Sequence, residues 1–494
     1  MGNANTILDP VSARHLLRRT GFGARPADVQ AILDRQLTRG QAVDELMAFE
    51  SKPIGLGGYY VEKIHAKWLK TMVRSRYPLQ GKLVLFWHDH FATSNAKVDN
   101  LPTMGVHIDL IHTHCKGDFK AFVKAMNRDS AMILFLDTRR NLKESPNENY
   151  ARELQELFTL GVYDFAGNPN YTQQDVVQIA RAFSGWHDWG FRDYEHDYQS
   201  EFLAARGPKV IYQSTGGFGP GGAAFDVDGE GPQEIDAVTD IIFEHVDGDG
   251  KHTVARRMTR RLFEYFAYEI PDPIDQDHVG MIDQLIDESG FASSWDIAAL
   301  LRAMFVHDRF YETAAPAPFV ETTRKSVRWP VDYVVTALRL LSARLDKQGN
   351  ERVRGQLSKM GQVLLEPPSV FGWEWELGWI GSAALLARYD FASYLTSIDE
   401  DGRHTFRPER QRVLVDGESV RLSSLTDPAG IVRAAADILG VPDLLTSDEH
   451  DALVAYLSDD GLNATIDLND EQTLNEKLYG LFALMLQCPG YHVH

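Results

Sequence analysis

The chain of 494 residues is 44% hydrophobic and 24% charged, a balance that buries a large core and excludes a disordered chain. A formal net charge of −20 argues against nucleic acid or an anionic membrane surface as the main partner. Cys115 and Cys488 are the only cysteines, so there is no disulfide framework and no cysteine-based metal knot. No run approaches the roughly 18 apolar residues of a transmembrane segment, and residues 1–10 lack a basic stretch followed by an apolar one. The expectation is a chain without a signal peptide, cytoplasmic by default.

In chain order, residues 10–50 read as helices: a pattern from Val11 stops at Gly21-Phe22-Gly23 and restarts at Pro26. No strand precedes this turn and no Lys-Ser/Thr follows, so it reads as a helix–helix corner in preference to a phosphate loop. Residues 60–90 are again helical and end on Phe86-Trp87-His88-Asp89-His90-Phe91. In an ideal helix His88 and His90 lie roughly 200° apart. Sharing a metal would need an extended or fraying end; otherwise the two rings belong to an aromatic core. His112, His114 and Cys115 fit no zinc-knuckle spacing.

Residues 145–161 specify a helix from end to end. Ser145 reads as the N-cap, Pro146 as the first helical position, Glu148 as the partner in an S-x-x-E capping box and Gly161 as the stop. A helix over about 146–160 is predicted. At roughly 100° per residue, Ala151, Leu154 and Phe158 share one arc with Tyr150 and Leu157 at its edge, and Asn149, Arg152, Glu153 and Glu156 gather on another. Two carboxylates one turn apart can share a proton, one acting as acid and the other as base. The plain alternative is a solvated face with an Arg152–Glu156 pair. A second helix, capped by Thr172, ends at Ser184-Gly185-Trp186-His187.

Beyond Trp186 the chain becomes rich in Gly, Asp and aromatics, which predicts an irregular insertion with a short hairpin. Asp247-Gly248-Asp249-Gly250 reads as an acidic turn, not a calcium loop. Helices return at Thr253, where Arg256, Arg257, Arg260 and Arg261 form a basic cluster suited to an anionic substrate or to internal pairing, with internal pairing the stronger expectation. The double proline Pro367-Pro368 cannot lie inside a helix. It places Gln362, Trp373, Trp375 and Trp379 on an irregular aromatic surface, suited to stacking on sugars or excluding water, or simply to core packing.

The Arg18–Gly23, Phe86–Phe91, Asn147–Val162, Tyr171–Val176, Ala180–Trp186 and Gly361–Trp373 blocks closely resemble the bacterial family catalogued as domain of unknown function 1800, over nearly the whole chain. The resemblance implies a His-Asp pair followed by Gly and Lys, for which His196-Asp197 and Gly207-Pro208-Lys209 are the nearest match, at a spacing that departs from the family form. It also implies a sulfatase-like protein partner and relatives that are often exported. The expected fold is mainly α: a large multi-helix domain with an N-terminal helical half (1–186), an irregular insertion (187–250) and a C-terminal helical half (251–494) packed with the first. The expected function is a metal-dependent hydrolase or oxidoreductase acting on a polymer or surface component. Asn149, Arg152, Glu153 and Glu156 are its candidate catalytic residues; His88, His90, His196 and Asp197 would hold a divalent metal; Trp186, Gln362, Trp373 and Trp379 would contact substrate. The alternative is a non-catalytic binding or assembly partner of a sulfatase-like protein.

Overall fold

The computed structural model describes residues 3–58, 60–187, 197–198, 205, 207–225, 231–312, 326–398, 403–415 and 418–494. The fold is mainly α, as expected, with helices running from Pro10–Thr20 to Pro489–His492 and, among the described residues, three two-stranded antiparallel ribbons. Local chemistry sets the helix starts. Proline occupies the first turn at Pro10, Pro26, Pro78, Pro330 and Pro428. Thr38, Thr172 and Thr446 close capping boxes at Arg39–Met47, Gln173–Ala182 and Ser447–Ser458. No helix among the described residues is long and apolar enough to cross a membrane, and both cysteines are free thiols.

The Gly21–Gly23 corner is confirmed. Phe22 is buried in the core, and Gly23 has φ +80° with a would-be Cβ only 2.8 Å from Thr336 and Leu340, so a side chain is excluded both by conformation and by contact. Just before it, Arg19 sends Nε to the carbonyl of Phe266 at 2.6 Å and Nη2 to that of Ala267 at 2.5 Å. This guanidinium therefore caps the C-terminal carbonyls of the helix Thr253–Phe266.

Pro78–His90 is the strut of the N-terminal half: every residue from Gly81 to His90 is buried, the mark of a helix surrounded on all sides. Inside the stretch expected to be irregular, Trp186–His187 pairs with Asp197–Tyr198 and Lys209–Ile211 with Ala223–Phe225. A helix, Gly231–Glu244, also falls within it. Lys209 forms a buried ion pair with Glu234 of that helix.

Candidate functional site

The signature helix differs from its expected form at both ends. Ser145 does not cap it: the exposed Ser145 donates its N–H to the carbonyl of Leu142 at 3.0 Å. An asparagine ladder takes over, with Asn141 Oδ1 accepting the N–H of Asn147 and Asn147 Oδ1 that of Asn149, each at 2.9 Å. The α-helix accordingly starts at Asn149, and the Ser145–Glu148 capping box does not form. From Leu154 to Thr159 the helix widens into a π-helix, a form that concentrates at functional sites. Its last turn closes where the N–H groups of Leu160 and Gly161 both reach the carbonyl of Gln155, at 2.8 and 2.9 Å. Gly161 has the positive φ (+83°) expected of the stop, and a Cβ there would stand 2.6 Å from Arg257 Nη1.

The apolar arc of Tyr150, Ala151, Leu154 and Phe158 is buried as expected. On the polar arc Arg152 turns back one turn, to Glu148 at 3.1 Å and Gln173 at 2.9 Å, instead of forward to Glu156. Glu156 is held elsewhere: its Oε2 accepts the Tyr171 hydroxyl at 2.8 Å and its main-chain carbonyl accepts Arg257 Nη2 at 2.9 Å. Glu153 is half-buried beside it. Burial, followed by the charge of Glu156, pushes the Glu153 carboxyl up to about 7 against the opposing pull of Arg152. The two carboxylates are thus unequal, one anchored by a phenol and the other able to gain or lose a proton near neutral pH. Asn149 is exposed on the first turn.

The histidine pair does not meet. The helix stays regular through His90, so the two rings diverge as ideal geometry requires. His88 is fully buried, with ring centroids 5.1 Å from Trp373, 5.6 Å from Trp68 and 6.2 Å from His107. Neither of its ring nitrogens has a hydrogen-bond partner among the described residues, and burial, then His107 and His65, hold its pKa far below the ordinary value. His90 stacks on Phe86 and meets the carbonyl of Phe158 through Nε2 at 3.1 Å; burial, then Arg261 and Arg257, keep it neutral. The expected metal set is therefore not assembled by these two residues. His196 and the side chain of Asp197 lie outside the described residues, and among the described ones no three His, Cys, Asp or Glu side chains form a metal-holding group.

The residues expected to contact substrate are buried. Trp186, Trp373 and Trp379 are 3–4% exposed, the core packing that was the plain alternative for the tryptophans. Gln362 is fully buried and its Oε1 accepts the N–H of Val331 at 2.8 Å, closing the first turn of Pro330–Leu340. The loop after the double proline folds inward because Asp89 draws it in: Asp89 accepts the N–H of Trp373 at 2.7 Å and Trp375 Nε1 at 3.0 Å. Gly372, at φ +84°, sits so close that a Cβ would overlap Asp89.

Asp89 and Tyr171 are site residues without a role of their own in the sequence reading; they join Arg257 and Arg261 of the basic cluster and Trp375 of the aromatic surface. Arg261 lies over the Trp375 ring at 4.8 Å with Asp89 at 3.6 Å, and burial raises the Asp89 carboxyl to about 6. Three distinctive blocks thus converge on one helix, Thr253–Phe266: the histidine strut through Asp89, the signature helix through the carbonyl of Glu156, and the double-proline loop through Trp375. Tyr171 was legible as the start of a motif that follows the signature helix, and Asp89 as the carboxylate between two histidines.

The sequence model of the family described as "Protein of unknown function (DUF1800)" matches residues 15–493. No curated protein and no solved structure matches the chain.

Proposed function

We propose that this chain, which belongs to the DUF1800 family, is an enzyme of general acid–base type acting on a polymer or surface component, with Glu153 as the group that carries the proton. The observation behind this reading is the unequal carboxylate pair: Glu153 pushed up to about 7 beside Glu156, which Tyr171 fixes in place. A carboxyl that titrates near the working pH both gives and takes a proton with little penalty. Glu156 stands next to it, and Arg257 ties the π-helical turn that presents both to the helix Thr253–Phe266. A divalent metal enters the proposal through ligands outside the described residues, His196 first among them. Metal content of purified protein, compared with His196→Ala, separates that version from the metal-free one.

The test is turnover against polymeric and small-molecule substrate panels. The reading expects activity with a pH limb near 7, abolished in Glu153→Gln, and a limb moved to lower pH in Glu156→Gln because the neighbouring charge is gone. Activity that survives Glu153→Gln would end the proposal.

A second reading, the binding partner of a sulfatase-like protein, draws on the exposed Phe371, Leu377 and Leu386, at 67%, 80% and 62% exposure. All three fall in the stretch 371–386, and a contiguous exposed apolar patch marks a partner surface. Under that reading Leu377→Glu weakens partner capture and Glu153→Gln does not.

A further inference from the structure

The four arginines of the helix Thr253–Phe266 do not share one fate. Internal pairing accounts fully for Arg256, which is clamped by Asp247 at 2.9 Å, Asp249 at 2.8 Å and Asp283 at 2.7 Å; the acidic turn 247–250 exists to meet it. Arg260 pairs with Glu264 at 2.9 Å. Arg257 and Arg261 are different. Arg257 donates to a main-chain carbonyl and to no described carboxylate. Arg261 has only a loose ion pair, with Asp89 at 3.6 Å, longer than a hydrogen bond. The Nε atoms of both are buried without a partner among the described residues.

Together with Arg260 these two side chains line a cavity of about 580 Å³, whose other walls come from residues 160–167 and 272–274. That volume lies within the range of small-molecule sites. The carboxylates that share the cavity are committed elsewhere. Asp247 serves Arg256 and Thr253, Glu264 serves Arg260, and Asp164 takes the N–H groups of Ala166 and Asn168 and the Asn168 side chain. Asp272 is exposed at the rim, 3.9 Å from Arg260.

A buried Nε–H without an acceptor is costly, and two guanidinium charges at i and i+4 repel each other. Burial and then Arg261 pull the Arg257 pKa down to about 9. An oxyanion in the cavity relieves that repulsion, because guanidinium groups offer N–H donors and positive charge to its oxygens. We infer that this cavity is a binding site for the tetrahedral oxyanion of a phosphate or sulfate ester, received by Arg257 and Arg261 with Arg260 at the rim and the rings of Tyr163 and Phe165 along the wall. The inference does not depend on Glu153 moving a proton.

Calorimetric titration of the full chain with inorganic phosphate, inorganic sulfate and, as a single-charge comparison, acetate, at low ionic strength in chloride-free buffer, tests it. Saturable binding of phosphate, of sulfate or of both is expected, with acetate weaker. The anion bound more tightly identifies which ester the site takes. Arg261→Gln should weaken binding at least about tenfold, as losing one charged hydrogen-bonding partner does, while Arg261→Lys keeps part of it. Arg257→Gln should do the same, but Arg257 also braces the turn at Gly161, so its folding is checked by circular dichroism and Arg261→Gln carries the decision. No saturable binding of phosphate or sulfate up to on the order of 10 mM, or binding unchanged in folded Arg261→Gln, overturns the inference. The titration of Glu153 is read separately, so failure here leaves the acid–base proposal standing.

Discussion

Two helices of this molecule carry crowded titratable residues, and they use them in opposite ways. On Pro78–His90 the histidines are sealed among aromatic rings and kept neutral by burial. On Thr253–Phe266 the arginines are graded, from Arg256 held by three aspartates to Arg257 and Arg261, which line a cavity with fewer acidic partners. The difference teaches that a dense run of chemistry-bearing side chains marks a place where elements meet, and that packing then decides between core and site. The histidine strut reaches the site through Asp89, the one acidic residue in its motif, and through His90 at the carbonyl of Phe158.

The sharpest break of this comparison is on the core side. Trp373→Ala should cost about 3–5 kcal/mol of unfolding free energy, the range for emptying a buried aromatic site, read from denaturant midpoints. A substrate-stacking tryptophan would instead leave stability nearly untouched. Gly161→Ala comes next, because it forces a side chain into positive φ and against Arg257. A loss of more than about 1 kcal/mol is expected, together with weaker anion binding.

The pH dependence of stability separates the two regions by sign. His88 and His90 have folded pKa values far below the 6.5 of the free side chain, so below that pH the unfolded chain binds the extra protons. Their contribution is intact above pH 6.5 and is lost as pH falls. Glu153 runs the other way. Its folded value of about 7 stands above the ordinary 4.5, so the folded chain binds the extra proton between them and stability falls as pH rises from about 4.5 to about 7. Glu153→Gln should remove that decline, and His88→Gln should soften the acid limb; unfolding curves across pH 4–8 in both variants check the two slopes. The smallest effect belongs to Arg152→Ala. Its pair with Glu148 is more than a third exposed on both sides, so a change of no more than about 0.2–1 kcal/mol is expected in the same assay.

Much of the fold was legible because it rests on local chemistry: proline-led helix starts, threonine caps and the glycine corner at Phe22. The apolar arc of the signature helix was legible for the same reason, since burial of Ala151, Leu154 and Phe158 follows the helical period. What escaped depends on partners distant in sequence or on competing local ones. Asn141 and Asn147 outbid Ser145 for the helix start, and Glu148 with Gln173 outbid Glu156 for Arg152. The π-helical turn has no signature in a 100° reading, because it is closed by Gln155 accepting two N–H groups at once. The inward fold of Trp373 depends on Asp89, 284 residues earlier in the chain. The expected internal pairing of the arginines held for Arg256 and Arg260. Arg261 pairs more loosely, with Asp89 at 3.6 Å, and Arg257 meets no described carboxylate, because the acidic turn at 247–250 reaches only the first of the four.

The central claim is that the Glu153 carboxyl titrates near neutrality because it is half-buried and, second to that, because Glu156 stands beside it. Carbon-13 NMR titration of glutamate side-chain carboxyls, assigned by Glu153→Gln, measures this directly in the wild-type chain and in Glu156→Gln. The account predicts a wild-type midpoint near 7 that falls toward the ordinary carboxylate range when the Glu156 charge is removed. A wild-type midpoint already in that ordinary range, or one that ignores Glu156→Gln, would contradict it.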